Sequence, residues 1–374
     1  MMKKLFLFAA CLLTAAAGER RAKNIIVFLG DAGGIPTLHA ASIHGHGAPG
    51  KLFIQQMPNI GLSETSPVGG WVTDSAAGMT AIVTGHKTKS GVISQSADAV
   101  PGKVNGAPLK TILEYAEEHG LSTGVISNVS MADATPAACY AHANHRRKYA
   151  EIVAQIANPR FGDGVDLVIG GGRKGIFEAT GNAKYDFRKA LSEKGYALYD
   201  SPGDVPADAK RVVALTDDRY DPAPIVKRAI EILSRNPKGY FLMVEWDMHT
   251  NNLQKGLDQA VTMDNLVRQT AGQVNSRDTL VLFTADHSFD LRLLTGKTGQ
   301  PVVPAATPDD AAPVPIRVGT SHTGEEVLVA AMGPGASRVK GYMPNTQIFH
   351  IMMQAYGWKE SKAEPAAPDS ASAR

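Results

Sequence analysis

The chain has 374 residues, of which 44% are hydrophobic and 20% are charged, a composition typical of a globular protein with a large core. Its 38 basic and 36 acidic residues give a net charge of only +2. Because the sequence also contains no Lys/Arg run and no basic aromatic stripe, it argues against nucleic acid as a specific partner.

Residues 1–17 have the three parts of an export signal peptide. Two lysines precede the apolar stretch 5–15, and small residues follow that would permit cleavage after Ala17. The apolar stretch is too short to span a bilayer, so we expect a periplasmic or secreted protein without a membrane span. A lipid anchor at Cys11 fits less well, because Phe8 stands where leucine is usual.

The rest of the chain alternates between apolar strand-like runs and helical patterns. The predicted strands are residues 23–30, 121–127, 165–170, 211–215, 239–245, 278–284 and 327–333. The predicted helices are residues 109–119, 222–235, 250–273 and 345–356. Most of the strands are continuous apolar runs, as expected where both faces of a sheet are covered. This order predicts an α/β fold, a doubly wound, mostly parallel sheet with helices on both faces.

Two segments interrupt this alternation. Residues 297–319 are rich in Pro, Ala and Gly and predict a surface excursion, and the composition of residues 360–374 predicts a disordered tail. We therefore expect one domain over residues 18–359.

Three of the predicted strands end on side chains that bind metal ions. The residues concerned are Asp31 after the first strand, Glu245, Asp247 and His249 at the end of the fifth, and Asp286 and His287 after the sixth, with His322 further on. Because the carboxyl ends of parallel strands share one edge of a sheet, these groups should converge. Carboxylate with imidazole is the ligand mix of catalytic zinc sites, so the pattern predicts a metal-dependent active site.

Residues 72–85 have the pattern of a loop that leads into a helix of small residues, with Ser75 at the helix start. Free backbone N–H groups and the positive end of the helix dipole favour an anion there. From this segment alone, two interpretations stay open. In the simpler one Ser75 only caps the helix, which is the usual role of a serine at this position. In the other Ser75 is a nucleophile, which a metal ion would have to activate.

Residues 133–146 carry a further group of polar side chains. Asp133 and Thr135 offer hard oxygen ligands suited to Mg²⁺. Arg146 offers a planar fork for two phosphoryl oxygens. Taken by itself, Arg146 is more simply interpreted as a solvated helix residue beside Arg147 and Lys148.

Taken together, these segments resemble the alkaline phosphatase family, the phosphomonoesterases that use two zinc ions and one magnesium ion. The matching segments occur in family order at residues 24–31, 72–85, 133–146, 245–249, 284–287 and 321–324. The Asp-Ser-Ala-Ala and Asp-Ala-Thr-Pro-Ala-Ala sequences are the most specific of them. The resemblance implies a catalytic domain that hydrolyses phosphate monoesters through a phosphoserine intermediate.

The resemblance also gives each candidate residue a role. Ser75 resembles the nucleophile, and Arg146 resembles the clamp that holds the phosphate. The first zinc site, beside Ser75, would use Asp31, Asp286 and His287. The second zinc site would use Asp247, His249 and His322. The magnesium site would use Asp31, Asp133, Thr135 and Glu245. Family members are often dimers, so a monomer and a homodimer both stay open.

Two departures from the family pattern fall on this site. Ala32 follows Asp31 where the family usually has glycine. The family also separates its Glu and Asp by four residues and its Asp and His by three, whereas residues 245, 247 and 249 leave one residue in each gap. In a strand these three positions would share one face. Asn251 and Asn252 are possible substitute ligands.

Two other functions stay open at this point. One is a phosphodiesterase or sulfatase-like hydrolase. The presence of Arg146 favours a monoesterase instead, because the clamp needs two free non-bridging oxygens on the substrate. The other is a noncatalytic periplasmic protein that binds metal or phosphate, suggested by the contracted 245–249 segment.

Overall fold

The computed structural model describes residues 20–303 and 315–360. The predicted signal peptide, nearly all of the predicted tail and the middle of the predicted excursion lie outside these residues. The strands are β1 (Asn24–Asp31), β2 (Asn59–Glu64), β3 (Ser122–Ser130), β4 (Leu167–Gly171), β5 (Ala197–Tyr199), β6 (Val212–Thr216), β7 (Tyr240–Asp247), β8 (Thr279–Thr284), β9 (Ser288–Leu293), β10 (Ile316–Thr323), β11 (Val327–Met332) and β12 (Gly341–Pro344). The helices are α1 (Ile35–His46), α2 (Ser75–Thr84), α3 (Ile112–Glu118), α4 (Ala134–Tyr140), α5 (Tyr149–Ala157), α6 (Arg173–Asn182), α7 (Phe187–Glu193), α8 (Pro222–Leu233), α9 (Leu253–Gln273) and α10 (Thr346–Tyr356).

Ten of these strands form one sheet in the order β12-β2-β11-β8-β1-β7-β3-β4-β6-β5. All neighbours from β8 to β5 are parallel, whereas β11 is antiparallel to both β8 and β2. β9 and β10 pair separately as an antiparallel ladder. The mostly parallel sheet is thus confirmed, and the central strands β8, β1, β7 and β3 all end at one edge.

Helices cover both faces of the sheet because the central strands are apolar on both sides. In β1, Val27 and Leu29 pack into one core with residues of α2, α3, α4 and α10. Ile26 and Phe28 alternate with them and pack into a second core with residues of α1, α8 and α9. This arrangement confirms the doubly wound architecture. Among the described helices, none is both long and apolar enough to cross a membrane.

The seven predicted strands correspond to β1, β3, β4, β6, β7, β8 and β11, and the four predicted helices to α3, α8, α9 and α10. β5 and β12 were missed because they have only three and four residues. The prediction that residues 297–319 form a surface excursion is wrong for residues 316–319. These residues belong to β10, which begins at Ile316 and pairs with β9. The exposed, polar side chains of β10 gave no strand-like pattern.

Candidate active site

Six of the predicted ligands come together, five from the carboxyl ends of β1, β7 and β8 and the sixth, His322, from β10. Their ligand atoms lie within 4.8 Å of one another in three groups: Asp31, Asp286 and His287; Asp31, Asp247 and His249; and His249, His287 and His322. Asp31, His249 and His287 each belong to two groups. The six residues therefore form one connected cluster, which we call the ligand cluster.

The contracted 245–249 segment presents its three candidates on one face because β7 stays extended as far as Asp247. Asp247 pairs with Asp31 of β1, and Glu245 pairs with Leu29 two residues earlier. The backbone N–H of Met248 donates to the Asp31 carbonyl, which continues the ladder. The expectation that positions 245, 247 and 249 share one face is therefore met for Asp247 and His249, which both reach the cluster.

Asn251 and Asn252 lie outside the ligand cluster. The Asn252 side chain caps α9 by accepting the backbone N–H of Lys255, and the Asn251 side chain accepts the backbone N–H of Asn252. Both amide oxygens thus organise the turn after β7, and their proposed use as substitute ligands is not supported.

Two histidines of the cluster have their ring orientation fixed by a backbone carbonyl. His287 Nδ1 lies 3.0 Å from the carbonyl oxygen of Ser288, and His322 Nδ1 lies 3.1 Å from that of Thr73. When Nδ1 donates to a carbonyl, Nε2 carries the lone pair and is the ligand atom. The two rings stack with centroids 3.7 Å apart, so their Nε2 atoms belong to the same small space.

The carboxylates of this region are deeply buried and incompletely paired. Asp286, His287 and Glu245 are completely buried, and Asp31 is 8% exposed. Asp31 Oδ1 and Asp286 Oδ2 share one partner, His287 Nε2, at 3.3 and 3.6 Å, and Glu245 Oε1 has no hydrogen bond to a described residue. Because buried carboxylates need compensating charge, three carboxylates with a single shared imidazole are suited to cations.

The pKa values show the same crowding of charge. Burial and the nearby Asp31 carboxylate raise the pKa of Asp286 to about 6. Burial alone would lower the pKa of His287, but the Asp286 and Asp31 carboxylates raise it to about 9. Burial and Asp31 also raise the pKa of Glu245 well above its ordinary value. Metal ions would displace these protons, since ligands bind in their deprotonated forms.

Ser75 is the first residue of α2, with its side chain pointing into the ligand cluster. Its Oγ lies 3.3 Å from His287 Nε2, and the residue is 3% exposed. The helix cap is Asp74, whose carboxylate accepts the backbone N–H of Ala77. The interpretation of Ser75 as a simple cap is therefore wrong, and its hydroxyl lies beside the His287 imidazole at a helix N-terminus.

Arg146 lies beside Ser75, held by the cap residues of two helices. Nη1 lies 3.1 Å from Asp74 Oδ2, and Nη2 lies 2.8 Å from Asp133 Oδ1; Asp133 is the cap of α4. The interpretation of Arg146 as a solvated helix residue is wrong, since it precedes α5 and is only partly exposed. A guanidinium has five N–H donors, so this one can hold both carboxylates and still present donors to an anion.

Glu245, Asp133 and Thr135 lie next to the ligand cluster without joining its three groups. Glu245 Oε2 lies 2.5 Å from Ser127 Oγ, and its Oε1 is unpaired among the described residues. Asp133 Oδ1 accepts the backbone N–H of Ala134 as well as Arg146. Thr135 is buried in the first turn of α4. The Asp31 and Asp133 charges both act on Glu245, which places these oxygens in one neighbourhood.

Three residues that organise the site were not singled out in the sequence. Asp74 supports Arg146 and accepts the backbone N–H of Gly91, Ser127 holds Glu245, and Asn128 accepts the backbone N–H of Asp247. A signal was available for two of them, because Ser127 and Asn128 are polar residues near the end of an apolar strand, like the candidate metal ligands.

Ala32 shows where the chain departs from the family's usual glycine. Its φ is +61°, in the left-handed region, where a residue with a Cβ costs about 1–2 kcal/mol. Its backbone N–H donates to Asp286 Oδ1, which ties the turn after β1 to the ligand cluster. The turn thus holds Ala32 in a conformation that glycine would adopt without this cost.

Comparisons with known proteins identify the family of the chain. The family model described as alkaline phosphatase matches residues 22–201 and 202–311. The alkaline phosphatase of Escherichia fergusonii is 29% identical to this chain, and the match covers 92% of this chain and 88% of the relative. The alkaline phosphatase of Gadus morhua is 30% identical, and the match covers 72% of this chain and 70% of the relative. The solved structure of alkaline phosphatase from the Antarctic bacterium TAB5 has a TM-score of 0.74 at 25% identity, covering 91% of this chain and all of that one. The chain belongs to the alkaline phosphatase family and is a hydrolase of phosphate monoesters.

Proposed function

We propose that the chain hydrolyses phosphate monoesters in two in-line steps, with Ser75 as the nucleophile and a phosphoserine as the intermediate. The observation that carries the proposal is the 3.3 Å distance between Ser75 Oγ and His287 Nε2, since it places a hydroxyl at the edge of the ligand cluster. Its place at the start of α2 adds backbone N–H groups that favour a phosphoryl anion.

The ligand cluster fits two zinc ions by its chemistry. Asp31, Asp286 and His287 would hold the ion beside Ser75, and Asp247, His249 and His322 would hold the other. The buried carboxylates of Asp31 and Asp286, which share only His287 Nε2 as a cationic partner, supply the negative charge that such ions need. Glu245, with one unpaired oxygen, would join Asp31, Asp133 and Thr135 around a magnesium ion. Bound zinc would supply a Lewis acid that lowers the pKa of the attacking hydroxyl and stabilises the leaving oxygen.

The chain's own side chains position the substrate. Arg146 is held by Asp133 and by Asp74, the residue before Ser75; its remaining N–H groups would contact the phosphoryl group and offset charge on the equatorial oxygens. Because two free non-bridging oxygens are needed for a bidentate contact, this clamp favours monoesters over diesters.

We also propose that residues 18–359 form the catalytic domain and that the signal peptide directs it to the periplasm or outside the cell.

The decisive experiment is metal removal and restoration with two substrates at equal concentration. Turnover of a phosphate monoester should disappear on chelation and return on adding Zn²⁺ and Mg²⁺, with a diester hydrolysed far more slowly. A chelated protein that keeps its monoesterase turnover would contradict the metal assignment. Equal rates on both substrates would instead favour a phosphodiesterase.

A further inference from the structure

A cleft of about 520 Å³ lies at the same edge of the sheet as the ligand cluster. Four strands end in its wall, with Ser130 of β3, Gly171 of β4, Thr216 of β6 and Asp247 of β7. Small-molecule pockets have volumes of about 300–1,000 Å³, so the cleft has the size of a binding site. Strand ends in open α/β sheets are also where ligands bind.

Asp247 belongs to both the cleft and the ligand cluster. Its Oδ1 lies 2.8 Å from His249 Nδ1 in the cluster, whereas its Oδ2 lies 3.5 Å from Lys255 Nζ in the cleft wall. Its backbone N–H donates to Asn128 Oδ1, another residue of that wall. The cleft and the reaction centre therefore share a carboxylate.

In-line attack sets the direction in which a leaving group departs. The leaving oxygen lies opposite the attacking Ser75. In the proposed function, Asp247, His249 and His322 would hold the ion that stabilises that oxygen. His322 is attached to the loop before Ser75 through the Thr73 carbonyl, whereas Asp247 lies in the wall of the cleft. Asp247 therefore connects the proposed second zinc site to the cleft.

The wall of the cleft combines fixed aromatic rings with hydroxyl and amide groups. Tyr220 and Trp246 meet edge to face with ring centroids 5.6 Å apart, and the Tyr220 hydroxyl donates to the Ser127 carbonyl. The hydroxyl groups of the wall belong to Ser130, Thr216 and Thr262, and the amide group belongs to Gln259. Rigid rings beside a few polar groups are typical of sites that bind polar organic rings.

The charges of the cleft argue against a second anionic group on the ligand. Four carboxylates line it, from Asp217, Asp218, Asp221 and Asp247, against the two cations Arg219 and Lys255. Asp217 and Asp221 are already used, because they accept backbone N–H groups at the starts of α6 and α8. Arg219 is exposed and has no hydrogen bond or ion pair to a described residue, so its donors are available to hydroxyl groups.

We propose that this cleft is the leaving-group subsite of the enzyme and that it binds a neutral, hydroxylated ring, such as the sugar of a pentose phosphate. The proposal rests on the proposed function, because it takes the leaving oxygen to depart from Ser75 toward Asp247. It predicts a preference for sugar phosphates over small alkyl phosphates that arises in residues outside the ligand cluster.

The test compares ribose 5-phosphate with methyl phosphate in the zinc- and magnesium-loaded enzyme. Thr262→Trp should fill the cleft and lower the ratio of the two kcat/KM values about tenfold. Arg219→Ala should lower it about threefold through loss of a polar contact. Arg277→Ala, which removes the same charge before β8 at the opposite edge of the sheet, should leave the ratio unchanged. Inhibition by inorganic phosphate should be equal in all four proteins.

The outcomes separate this proposal from the proposed function. If wild type hydrolyses both esters but neither cleft variant changes their ratio, the leaving-group subsite is wrong and the phosphatase assignment stands. An equal loss on both substrates in Thr262→Trp, with Arg219→Ala unchanged, would also overturn the subsite. A wild-type enzyme that hydrolyses neither ester would overturn the proposed function itself.

Discussion

Asp31 and Asp247 stand directly opposite each other on the parallel strands β1 and β7. Because paired residues of a parallel ladder point to the same face, the sheet register alone places the two carboxylates together. The next backbone N–H along β7, that of Met248, donates to the Asp31 carbonyl, so the register is held up to the end of the strand. One strand pair thus supplies a carboxylate to each of the two proposed zinc sites.

We expect Asp247→Asn to weaken metal binding at the second zinc site by at least tenfold. Loss of a residue that only hydrogen-bonds to a metal ligand already lowers metal affinity about tenfold or more, and this change removes the charge of a proposed ligand itself. The check is a chelator titration that follows zinc content. Asn251→Ala is the matched control, because the Asn251 side chain only bonds within the turn after β7, and it should retain zinc like the wild type. Equal zinc loss in both variants would contradict the assignment of Asp247.

Ser75→Ala should abolish the phosphoenzyme and lower turnover by about a thousandfold or more, since loss of a nucleophile removes the covalent route. Zinc content should stay close to that of the wild type, because the change leaves all six residues of the ligand cluster in place. The measurement is acid trapping of labelled phosphate together with metal analysis. A trapped phosphoenzyme in this variant would place the nucleophile elsewhere.

Arg146→Ala should weaken inhibition by inorganic phosphate and slow turnover about a hundredfold, because the guanidinium contacts the phosphoryl group before and during transfer. The neighbouring Arg147→Ala removes the same charge from an exposed position and serves as the control. Steady-state kinetics with phosphate as inhibitor give both quantities. If the two variants bind phosphate equally well, Arg146 is not the clamp.

Gly78 tests how closely α2 must approach the ligand cluster. A Cβ at this position would lie 2.6 Å from the Asp286 carbonyl oxygen, closer than real contacts allow. Although alanine favours a helix by about 0.5–1 kcal/mol, the clash should dominate, so Gly78→Ala should destabilise the protein by about 1–3 kcal/mol and reduce zinc content. Gly272→Ala in α9, where a Cβ meets nothing within 4 Å, should be neutral or stabilising in the same urea titration.

The sequence predicted the ends of the central strands well because their physical signal is local. β1, β7 and β8 are buried on both faces, so each is a continuous apolar run, and a polar residue at its end stands out. The ligand cluster then follows from one general rule about parallel sheets. Because β7 is extended up to Asp247, the same rule also brings Asp247 and His249 beside the other candidate ligands.

The supporting contacts could not be predicted because they depend on the order of the strands. Ser127 reaches Glu245 only because β7 inserts beside β3, and the two residues are 118 positions apart in the chain. Arg146 reaches Asp74 across 72 positions. No periodicity within a single segment carries such information, which is why the fixed position of Arg146 was visible only in the structure.

A buried carboxylate away from the active site should make stability depend on pH. Glu117 of α3 is 7% exposed and accepts the backbone N–H of Gly164. Burial and the nearby Glu114 charge raise its pKa from 4.5 to about 9. In the unfolded chain Glu117 loses its proton near pH 4.5, whereas in the folded protein it keeps the proton until about pH 9. The free energy of unfolding should therefore fall as the pH rises through this window and level off above it.

Glu117→Gln should remove this dependence, because glutamine can accept the Gly164 N–H without ionising. The difference in stability between variant and wild type should grow from pH 5 to pH 9 in favour of the variant, with an upper limit of about 6 kcal/mol at 1.36 kcal/mol per pKa unit. Urea unfolding of the metal-loaded proteins at pH 5, 7 and 9 measures this difference in stability.

Glu118→Gln is the control for loss of charge on the same helix. It removes an exposed charge paired with Lys110, at a cost of about 1 kcal/mol or less. Because Asp166 has a pKa of about 6 in the same region, the interval from pH 7 to 9 isolates Glu117 best. Parallel stability curves for wild type and Glu117→Gln over that interval would show that Glu117 is already ionised in the folded protein.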